Sequence, residues 1–256
     1  MHTRIVVKIG TSSLLDSRGL LDLPVVARLL RELVELDRGG VHPILVSSGA
    51  IGAGRARLGY PPSRTGVAFR RAGSSGPATL GELQATAAVG QSLLMNSYNQ
   101  ILGPEGYVVA QMLLTHEDFR DERRRSNIRA TLDALRGRPV LPVINENDPV
   151  ATEEITFGDN DVLAALMAEL VGAGRTILLS DVDGFYLDGV RLPSIEQVSE
   201  THRDAAGSGS GSGGMKSKLR AAESVMKAGG VAVIAHGKRD SVRDAMEGRA
   251  GTRFGR

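Results

Sequence analysis

The sequence contains no cysteine and no tryptophan among its 256 residues, and aromatic residues make up only 4% of it. Without cysteine there can be no disulfide bond, no thiol catalysis and no zinc site with cysteine ligands. So few aromatic side chains leave little surface for base stacking. No apolar run is long enough to span a membrane, and the chain opens directly into a short strand-like run rather than a signal peptide. These absences predict a cytoplasmic protein that binds neither nucleic acid nor a membrane.

Charge of one sign is not in excess either. Lys and Arg number 31 and Asp and Glu number 29, which leaves a net charge of +2 at pH 7. A balance so close to neutral gives no electrostatic reason to expect binding to nucleic acid. The basic run at 123–125 has acidic neighbours, so a solvated helix face is its simplest interpretation. The apolar fraction of 41% is typical of a globular protein with one large α/β domain or two small ones.

Short apolar runs alternate with segments of helical periodicity along the chain. Residues 4–9 and 43–46 are predicted buried strands, and residues 22–37 between them carry apolar side chains at helical spacing. The same patterns predict strands at 107–114, 140–144, 176–179 and 231–235, helices at 83–102, 127–135, 161–171, 215–228 and 241–246, and a hairpin with an Asp-Gly turn at 184–190. This alternation predicts an α/β fold, with helices on both faces of an open, mainly parallel sheet.

Two stretches interrupt the alternation. Residues 61–82 are rich in Pro, Gly, Ser and Arg, and predict a long exposed loop or insertion. Residues 207–214 consist of Gly and Ser, a composition typical of a flexible linker. Against the linker interpretation, a helix and strand of the same pattern follow at once.

Ligands of open α/β sheets bind beyond the carboxyl ends of the strands, where two glycine-containing segments lie. In the first, Lys8 ends a buried strand and precedes Gly10. A buried ammonium group is costly unless it meets anions, although a strand-end lysine can also extend into water. In the second, residues 46–54, a strand runs into small residues and a helix. The helix N-terminus could bind an anion, or the serines could simply cap it.

Two further segments are candidate ligand sites. Residues 145–148 and 159–161 bring seven amide and carboxylate side chains to two loops, with Asp159 as a candidate N-cap. Such side chains could form turns and caps, bind magnesium or bind an ammonium group. Residues 207–218 form a glycine-rich loop that enters a helix with lysines in its first turns. This is unfavourable for the helix dipole unless a polyphosphate binds there.

Read together, these segments resemble the glutamate 5-kinases of the amino-acid kinase family. The matching stretches are V-V-K-I-G-T-S at 6–12, V-S-S-G-A-I at 46–51, A-A-V-G-Q-S at 87–92, Q-M-L-L-T at 111–115, P-V-I-N-E-N-D at 142–148, G-D-N-D at 158–161, S-G-G-M-K-S-K at 212–218 and G-T-R-F at 251–254. The 142–148 and 158–161 pair is the most specific, and distinguishes the chain from acetylglutamate, aspartate, carbamate and uridylate kinases.

The resemblance implies a three-layer αβα sandwich that forms a single amino-acid kinase domain over residues 1–256. The glutamate side would take up about 1–170 and the nucleotide side about 171–256, and no C-terminal PUA domain would follow. ATP, with Mg²⁺, would be the co-substrate and L-glutamate the acceptor. A homo-oligomer is expected, and a glutamate-5-semialdehyde dehydrogenase is a candidate partner.

The resemblance also implies roles for individual residues. Lys8 and Lys218 would hold the transferring phosphoryl group, and Asp161 would orient their ammonium groups. The residues implied for glutamate are Ser48, Gly49, Ala50, Asn145, Asp148 and Asn160. Those implied for the nucleotide are Lys8, Gly10, Thr11, Ser180, Asp181, Ser212, Gly213, Gly214, Met215, Lys216, Ser217 and Lys218. No protein ligand for the metal follows from the resemblance.

Two alternatives stay open at the level of sequence. A non-catalytic nucleotide-binding or sensor protein could use the same fold, because fold does not determine function. A kinase for another small acid could carry the same motifs, since the sequence does not show the shape of the pocket.

Overall fold

The computed structural model describes residues 3–60, 78–151, 160–207 and 214–256. The strands are β1 (Arg4–Ile9), β2 (His42–Ser47), β3 (Val108–Leu114), β4 (Val140–Glu146), β5 (Arg175–Ser180), β6 (Tyr186–Leu187), β7 (Val190–Arg191), β8 (Ser194–Ile195), β9 (Val231–His236) and β10 (Thr252–Phe254). The helices are α1 (Thr11–Leu14), α2 (Leu23–Arg38), α3 (Ala50–Arg55), α4 (Leu80–Leu102), α5 (Glu122–Leu135), α6 (Asn160–Val171), α7 (Glu200–Gly207), α8 (Met215–Lys227) and α9 (Val242–Met246).

Eight of the strands form one sheet in the order β3-β4-β2-β1-β5-β9-β10-β8. The six strands from β3 to β9 in that order are parallel to their neighbours, whereas β10 runs antiparallel to β9. The carboxyl ends of β1, β2, β4, β5 and β9 therefore lie along one edge of the sheet. Strands β6 and β7 form the predicted hairpin, and its turn residues Asp188 and Gly189 both have positive φ, as a type I′ turn requires.

Successive side chains of the strands point to opposite faces of the sheet, and each face has its own apolar core. Val6 belongs to one core and its neighbours Ile5 and Val7 to the other, as expected for a sheet buried on both faces. Helices α5, α6 and α8 contribute to the first core, and α2, α4 and α9 to the second. The predicted αβα sandwich is confirmed. None of the helices within the described ranges is long and apolar enough to cross a bilayer.

Capping residues decide where two helices begin, and they correct the sequence prediction. Thr79 accepts a hydrogen bond from the backbone N–H of Glu82 (3.3 Å), and the Glu82 carboxylate accepts one from the N–H of Thr79 (2.8 Å). This capping box starts α4 at Leu80, so residues 80–82 are helical and not part of the predicted loop at 61–82. The remainder of that loop, 61–77, lies outside the described residues. Asp121 likewise caps α5, which starts five residues before its predicted position.

Glycines bring the backbones of α3 and α4 into contact. A Cβ atom on Gly90 would lie 1.7 Å from the carbonyl oxygen of Ala50, and one on Gly54 would lie 2.1 Å from the carbonyl oxygen of Thr86. Neither position can hold a larger residue without moving a helix, because the obstructing atoms belong to the backbone. The contact fixes the first residue of α3, Ala50, against the middle of α4.

We expect the substitution Gly90→Ala to lower the free energy of unfolding by about 1–3 kcal/mol or more, the range for overpacking a tight site. Gly81→Ala is the matched control, because Gly81 lies on the exposed face of the same helix and a Cβ atom added there would meet no other atom within 4 Å. That variant should be unchanged or more stable by up to about 1 kcal/mol. Urea denaturation measures both, and equal stabilities for the two variants would contradict the close helix contact.

Candidate active site

The loops that follow β1, β2 and β5 begin side by side at the carboxyl edge of the sheet. Ile9 is paired with Ser47 on one side and with Leu179 on the other. Beyond this row the backbone N–H of Gly10 donates to the Leu179 carbonyl (3.1 Å), and that of Ser48 donates to the Ile9 carbonyl (3.1 Å). The predicted site residues of three separate segments therefore lie next to one another at this edge of the sheet.

Two lysines from distant parts of the chain meet at one carboxylate. The Lys8 Nζ atom lies 2.6 Å from Oδ1 of Asp161, and the Lys218 Nζ atom lies 3.1 Å from its Oδ2. All three residues are buried, with 5%, 8% and 2% of Lys8, Lys218 and Asp161 exposed. Strand β1, the first turn of α6 and helix α8 supply them, and we call them the ion triad.

The ion triad carries one more positive charge than negative. Burial alone would raise the pKa of Asp161, but the ammonium groups of Lys8 and Lys218 outweigh it and hold that pKa below its usual range. Asp161 is therefore ionised at neutral pH, and the excess positive charge favours an anion beside it. The backbone of Gly10 passes next to the ion triad, because a Cβ atom added there would lie in ordinary contact with the Lys8 Nζ atom, at 3.5 Å. The chemistry of this group suits a phosphate.

Amide side chains form a second cluster at the same edge. The Nδ2 atom of Asn160 lies within hydrogen-bond distance of three oxygens: Ser48 Oγ at 2.9 Å, the Ser47 carbonyl at 3.1 Å and Asn145 Oδ1 at 3.2 Å. These contacts join the start of α6 to the ends of β2 and β4. The Oδ1 atom of Asn160 is buried and accepts no hydrogen bond from any described residue.

The cluster extends from Asn145 to helix α4. Asn145 Oδ1 accepts from the backbone N–H of Glu146 (2.9 Å), and its Nδ2 donates to Oε1 of Gln91 (2.7 Å). Gln91 was not among the predicted site residues, although it belongs to the matching stretch at 87–92. That stretch was the available signal, but the sequence alone gave no reason to place Gln91 at the site.

Asp148 places a carboxylate two residues after Glu146, the last residue of β4. It begins a short 3₁₀ turn, Asp148–Val150, and is 7% exposed. Burial, together with the charge of Glu146, raises its pKa to about 7. No residue within the described ranges forms a side-chain ion pair or hydrogen bond with it. A buried carboxylate of this kind can form an ion pair with a cationic group of a ligand.

A glycine in the left-handed backbone conformation, Gly49, separates β2 from α3. Gly49 has φ +94°, and a side chain there would also approach Leu14 Cδ1 to 3.1 Å. The turn lets α3 begin directly at Ala50, next to the buried Ser48. All three predicted glutamate-binding residues of this segment therefore lie at the edge that holds the amide cluster.

The predicted nucleotide residues lie less closely together. Ser180 is buried at the end of β5, where its hydroxyl donates to the exposed Asp181 (2.9 Å), and Thr11 begins α1. On α8, the Ser217 hydroxyl is 3.4 Å from Asp161, whereas Lys216 is exposed and does not join the ion triad. Gly214 and Met215 form the start of that helix.

Three residues with a predicted role lie outside the described residues. They are Ser212 and Gly213, predicted for the nucleotide, and the candidate N-cap Asp159. In the described part of the chain, no group of three or more His, Asp or Glu residues is arranged to hold a metal ion. The binding roles of the residues at this edge stay predictions, while their proximity is a property of the fold.

Comparison with known proteins agrees with this geometry. The profile of the Amino acid kinase family matches residues 3–236. The chain is 43% identical over 249 residues to the glutamate 5-kinase of Pelobacter propionicus, and the alignment covers 93% of this chain and 63% of that protein. It is 39% identical over 254 residues to the glutamate 5-kinase of Clostridium acetobutylicum, covering 95% of this chain and 90% of that protein.

Among solved structures, the carbamate kinase from Giardia lamblia bound to AMP-PNP has a TM-score of 0.65 at 18% identity, over 98% of each chain. At that identity the likeness shows the fold alone. The chain spans about 63% of the length of the Pelobacter relative, and 90% of the Clostridium one. The profile match over most of the sequence, with relatives of this similarity, shows that the chain belongs to the amino acid kinase family.

Proposed function

We propose that the chain transfers the γ-phosphate of ATP to the side-chain carboxylate of L-glutamate, giving L-glutamyl 5-phosphate in the first step of proline biosynthesis. The observation that carries this proposal is the ion triad, in which two buried ammonium groups share the Asp161 carboxylate beside the amide cluster. The relatives support the choice of substrate, because those with 39% and 43% identity are glutamate 5-kinases.

The residue types suit phosphoryl transfer to a carboxylate. The nucleophile is ionised at neutral pH, so no general base is needed. Lys8 and Lys218 stabilise the negative charge on the transferring group, and Asp161 keeps their ammonium groups in fixed positions. Mg²⁺ would be held chiefly by the phosphates of ATP, as is usual for this ion, and would neutralise part of their charge.

The acceptor side of the site suits an amino acid. Asp148 would pair with the α-ammonium group of glutamate, which supplies the positive charge that its buried carboxylate lacks among the described residues. Ser48, Asn145 and Asn160 would contribute polar side-chain atoms, and Gly49 and Ala50 backbone groups. The orphan acceptor on Asn160 supports this role, because buried polar atoms are normally hydrogen-bonded.

The finer predictions extend this proposal. We place the glutamate side in residues 1–170 and the nucleotide side in 171–256 of a single domain. A homo-oligomer and a cytoplasmic location are further proposals, the latter because ATP and glutamate are cytoplasmic metabolites. Glutamyl phosphate is a labile acyl phosphate, which favours transfer to a glutamate-5-semialdehyde dehydrogenase.

The proposal is tested by incubating the purified chain with ATP, Mg²⁺ and glutamate, and trapping the acyl phosphate with hydroxylamine. Aspartate and N-acetylglutamate serve as comparison substrates. We expect hydroxamate with glutamate well above that with either comparison acid. Nucleotide binding without any hydroxamate would instead support the non-catalytic alternative, and a preference for another acid would support the second one.

Replacing either lysine of the ion triad should remove most of the activity. We expect Lys8→Ala and Lys218→Ala each to lower kcat by about 10²-fold or more, the scale for losing one charge-stabilising donor. Lys227→Ala is the control, since Lys227 is an exposed lysine at the far end of the helix that carries Lys218. Circular dichroism checks that the variants fold. Full kcat in a folded Lys8→Ala or Lys218→Ala variant would contradict the assignment.

Asp148 predicts a pH dependence on the acceptor side. Its pKa is raised to about 7, so the carboxylate gains its charge as pH rises through that value and can then pair with an ammonium group. The kcat/KM for glutamate should therefore rise from pH 6 to pH 8, and Asp148→Asn should abolish the rise and lower kcat/KM at pH 8 by about 30-fold or more.

Asp148→Asn should raise the stability of the ligand-free protein, although it lowers kcat/KM. Because the folded-state pKa of Asp148 lies above its ordinary value, its carboxyl group destabilises the ligand-free fold as pH rises from about 4 to about 7. Asp148→Asn should thus have a higher Tm than the unmodified chain at pH 8. A lower Tm together with an unchanged pH profile would contradict an unpaired buried carboxylate at this position.

A further inference from the structure

Gln91 is a buried amide on α4, 7% exposed, that touches the site without a predicted role. Its Oε1 atom accepts the 2.7 Å hydrogen bond from Asn145, while its Nε2 atom is buried and has no hydrogen-bond partner in the described part of the chain. Buried amides that are only half satisfied are uncommon because each unmet donor costs free energy. Gln91 is therefore poorly explained by packing alone.

Backbone groups fix the orientation of the amides at one end of the network. The N–H of Glu146 can only donate, so the atom of Asn145 that faces it at 2.9 Å must be Oδ1. The Nδ2 atom of Asn145 is then the one that faces Gln91, and Gln91 must present Oε1 to it. The remaining atom of Gln91, the Nε2 donor, is the one left without a described partner.

A backbone group also fixes the other end. The carbonyl of Ser47 can only accept, so Asn160 turns its Nδ2 atom towards it at 3.1 Å. The same Nδ2 atom is 3.2 Å from Asn145 Oδ1. Gln91, Asn145 and Asn160 thus form one continuous chain of amides, which we call the amide relay. Its outer end is the Oδ1 acceptor of Asn160, which is buried and has no described partner.

The inner end of the amide relay rests on a rigid support. Gly90, the residue before Gln91, lies against the backbone of Ala50 so closely that no Cβ fits there. Gln91 therefore has a fixed position relative to the start of α3, where the predicted acceptor residues Gly49 and Ala50 lie. A change in the Gln91 side chain acts directly on Asn145, because Gln91 Oε1 accepts the hydrogen bond of the Asn145 Nδ2 atom.

We propose that Gln91 is a positioning residue for glutamate, which holds the Asn145 amide and, through it, orients Asn160 towards the substrate. The inference rests on the proposed function and deepens it by adding a determinant of substrate affinity from a helix outside the predicted site. A relay with unmet polar atoms at both ends is suited to a polar ligand. Gln91 itself need not touch the substrate.

The test is the steady-state kinetics of Gln91→Met, which keeps the length of the side chain and removes both polar atoms. We expect the KM for glutamate to rise about tenfold, the scale of one buried hydrogen bond. The KM for ATP should stay within about twofold and kcat within about threefold, since the ion triad is untouched. Gln100→Met, an exposed position on the same helix, controls for the substitution itself and should leave all three constants unchanged.

A double-mutant cycle separates positioning from an independent contact. If Gln91 acts through Asn145, then Asn145→Ala combined with Gln91→Met should raise the KM for glutamate no further than Asn145→Ala alone. Effects that multiply would overturn the inference. So would a purely structural result, in which Gln91→Met lowers Tm and changes the KM values for ATP and glutamate equally. Gln91→Leu is the second variant if Gln91→Met does not fold.

Two outcomes distinguish this inference from the proposed function. An unmodified chain that shows neither glutamate-dependent hydroxamate formation nor a glutamate-dependent rise in Tm overturns both. An active unmodified chain, together with an unchanged KM for glutamate in folded Gln91→Met and Gln91→Leu variants, overturns the role of Gln91 alone. A smaller glutamate-induced rise in Tm for Gln91→Met, measured without ATP, would support the role independently of catalysis.

Discussion

The site depends on one buried carboxylate that two ammonium groups share. Asp161 holds Lys8 at 2.6 Å and Lys218 at 3.1 Å, and in doing so joins β1, α6 and α8. Removing Asp161 would leave two ammonium groups without their shared carboxylate in a low-dielectric environment, which is strongly destabilising. Asp161 also lies in the first turn of α6, where the helix dipole favours a negative charge. The ion triad is therefore both a structural junction and a part of the predicted site with an excess of positive charge.

The two sides of the site have opposite electrostatic character. The ion triad has an excess of positive charge, whereas the proposed acceptor side carries Asp148 with its raised pKa and a set of neutral amides. A polyphosphate and an amino acid need such a division, because the first is an anion and the second brings an ammonium group. Two buried polar atoms without a described hydrogen-bond partner, Asn160 Oδ1 and Gln91 Nε2, belong to the proposed acceptor side, where they lower stability in favour of binding.

Helix α4 contacts the residues of the proposed acceptor side. Its residue Gly90 contacts the start of α3, Gln91 reaches Asn145, and the buried Tyr98 hydroxyl forms a 2.8 Å hydrogen bond with Ser47. Three contacts from one helix thus fix the ends of β2 and β4 relative to α3. Such a support suits a pocket that must hold a small ligand in a defined orientation.

The sequence by itself determined the fold class and most of the helices and strands, because apolar periodicity and glycine turns are local properties of the chain. It also placed the polar residues at strand ends, and in a parallel sheet such ends share one edge. It failed at Leu80 and Asp121, where side-chain caps rather than periodicity decide where a helix begins.

The resemblance implied that Asp161 orients Lys8 and Lys218, and the tertiary structure supplied the distances of that contact. Only the tertiary structure showed that Asp148 is buried next to Glu146 and that Gln91 belongs with Asn145. These relations depend on the order of the strands in the sheet and on the close approach of α3 and α4. The order β3-β4-β2-β1-β5-β9 results from long-range pairing, which residues adjacent in sequence do not encode.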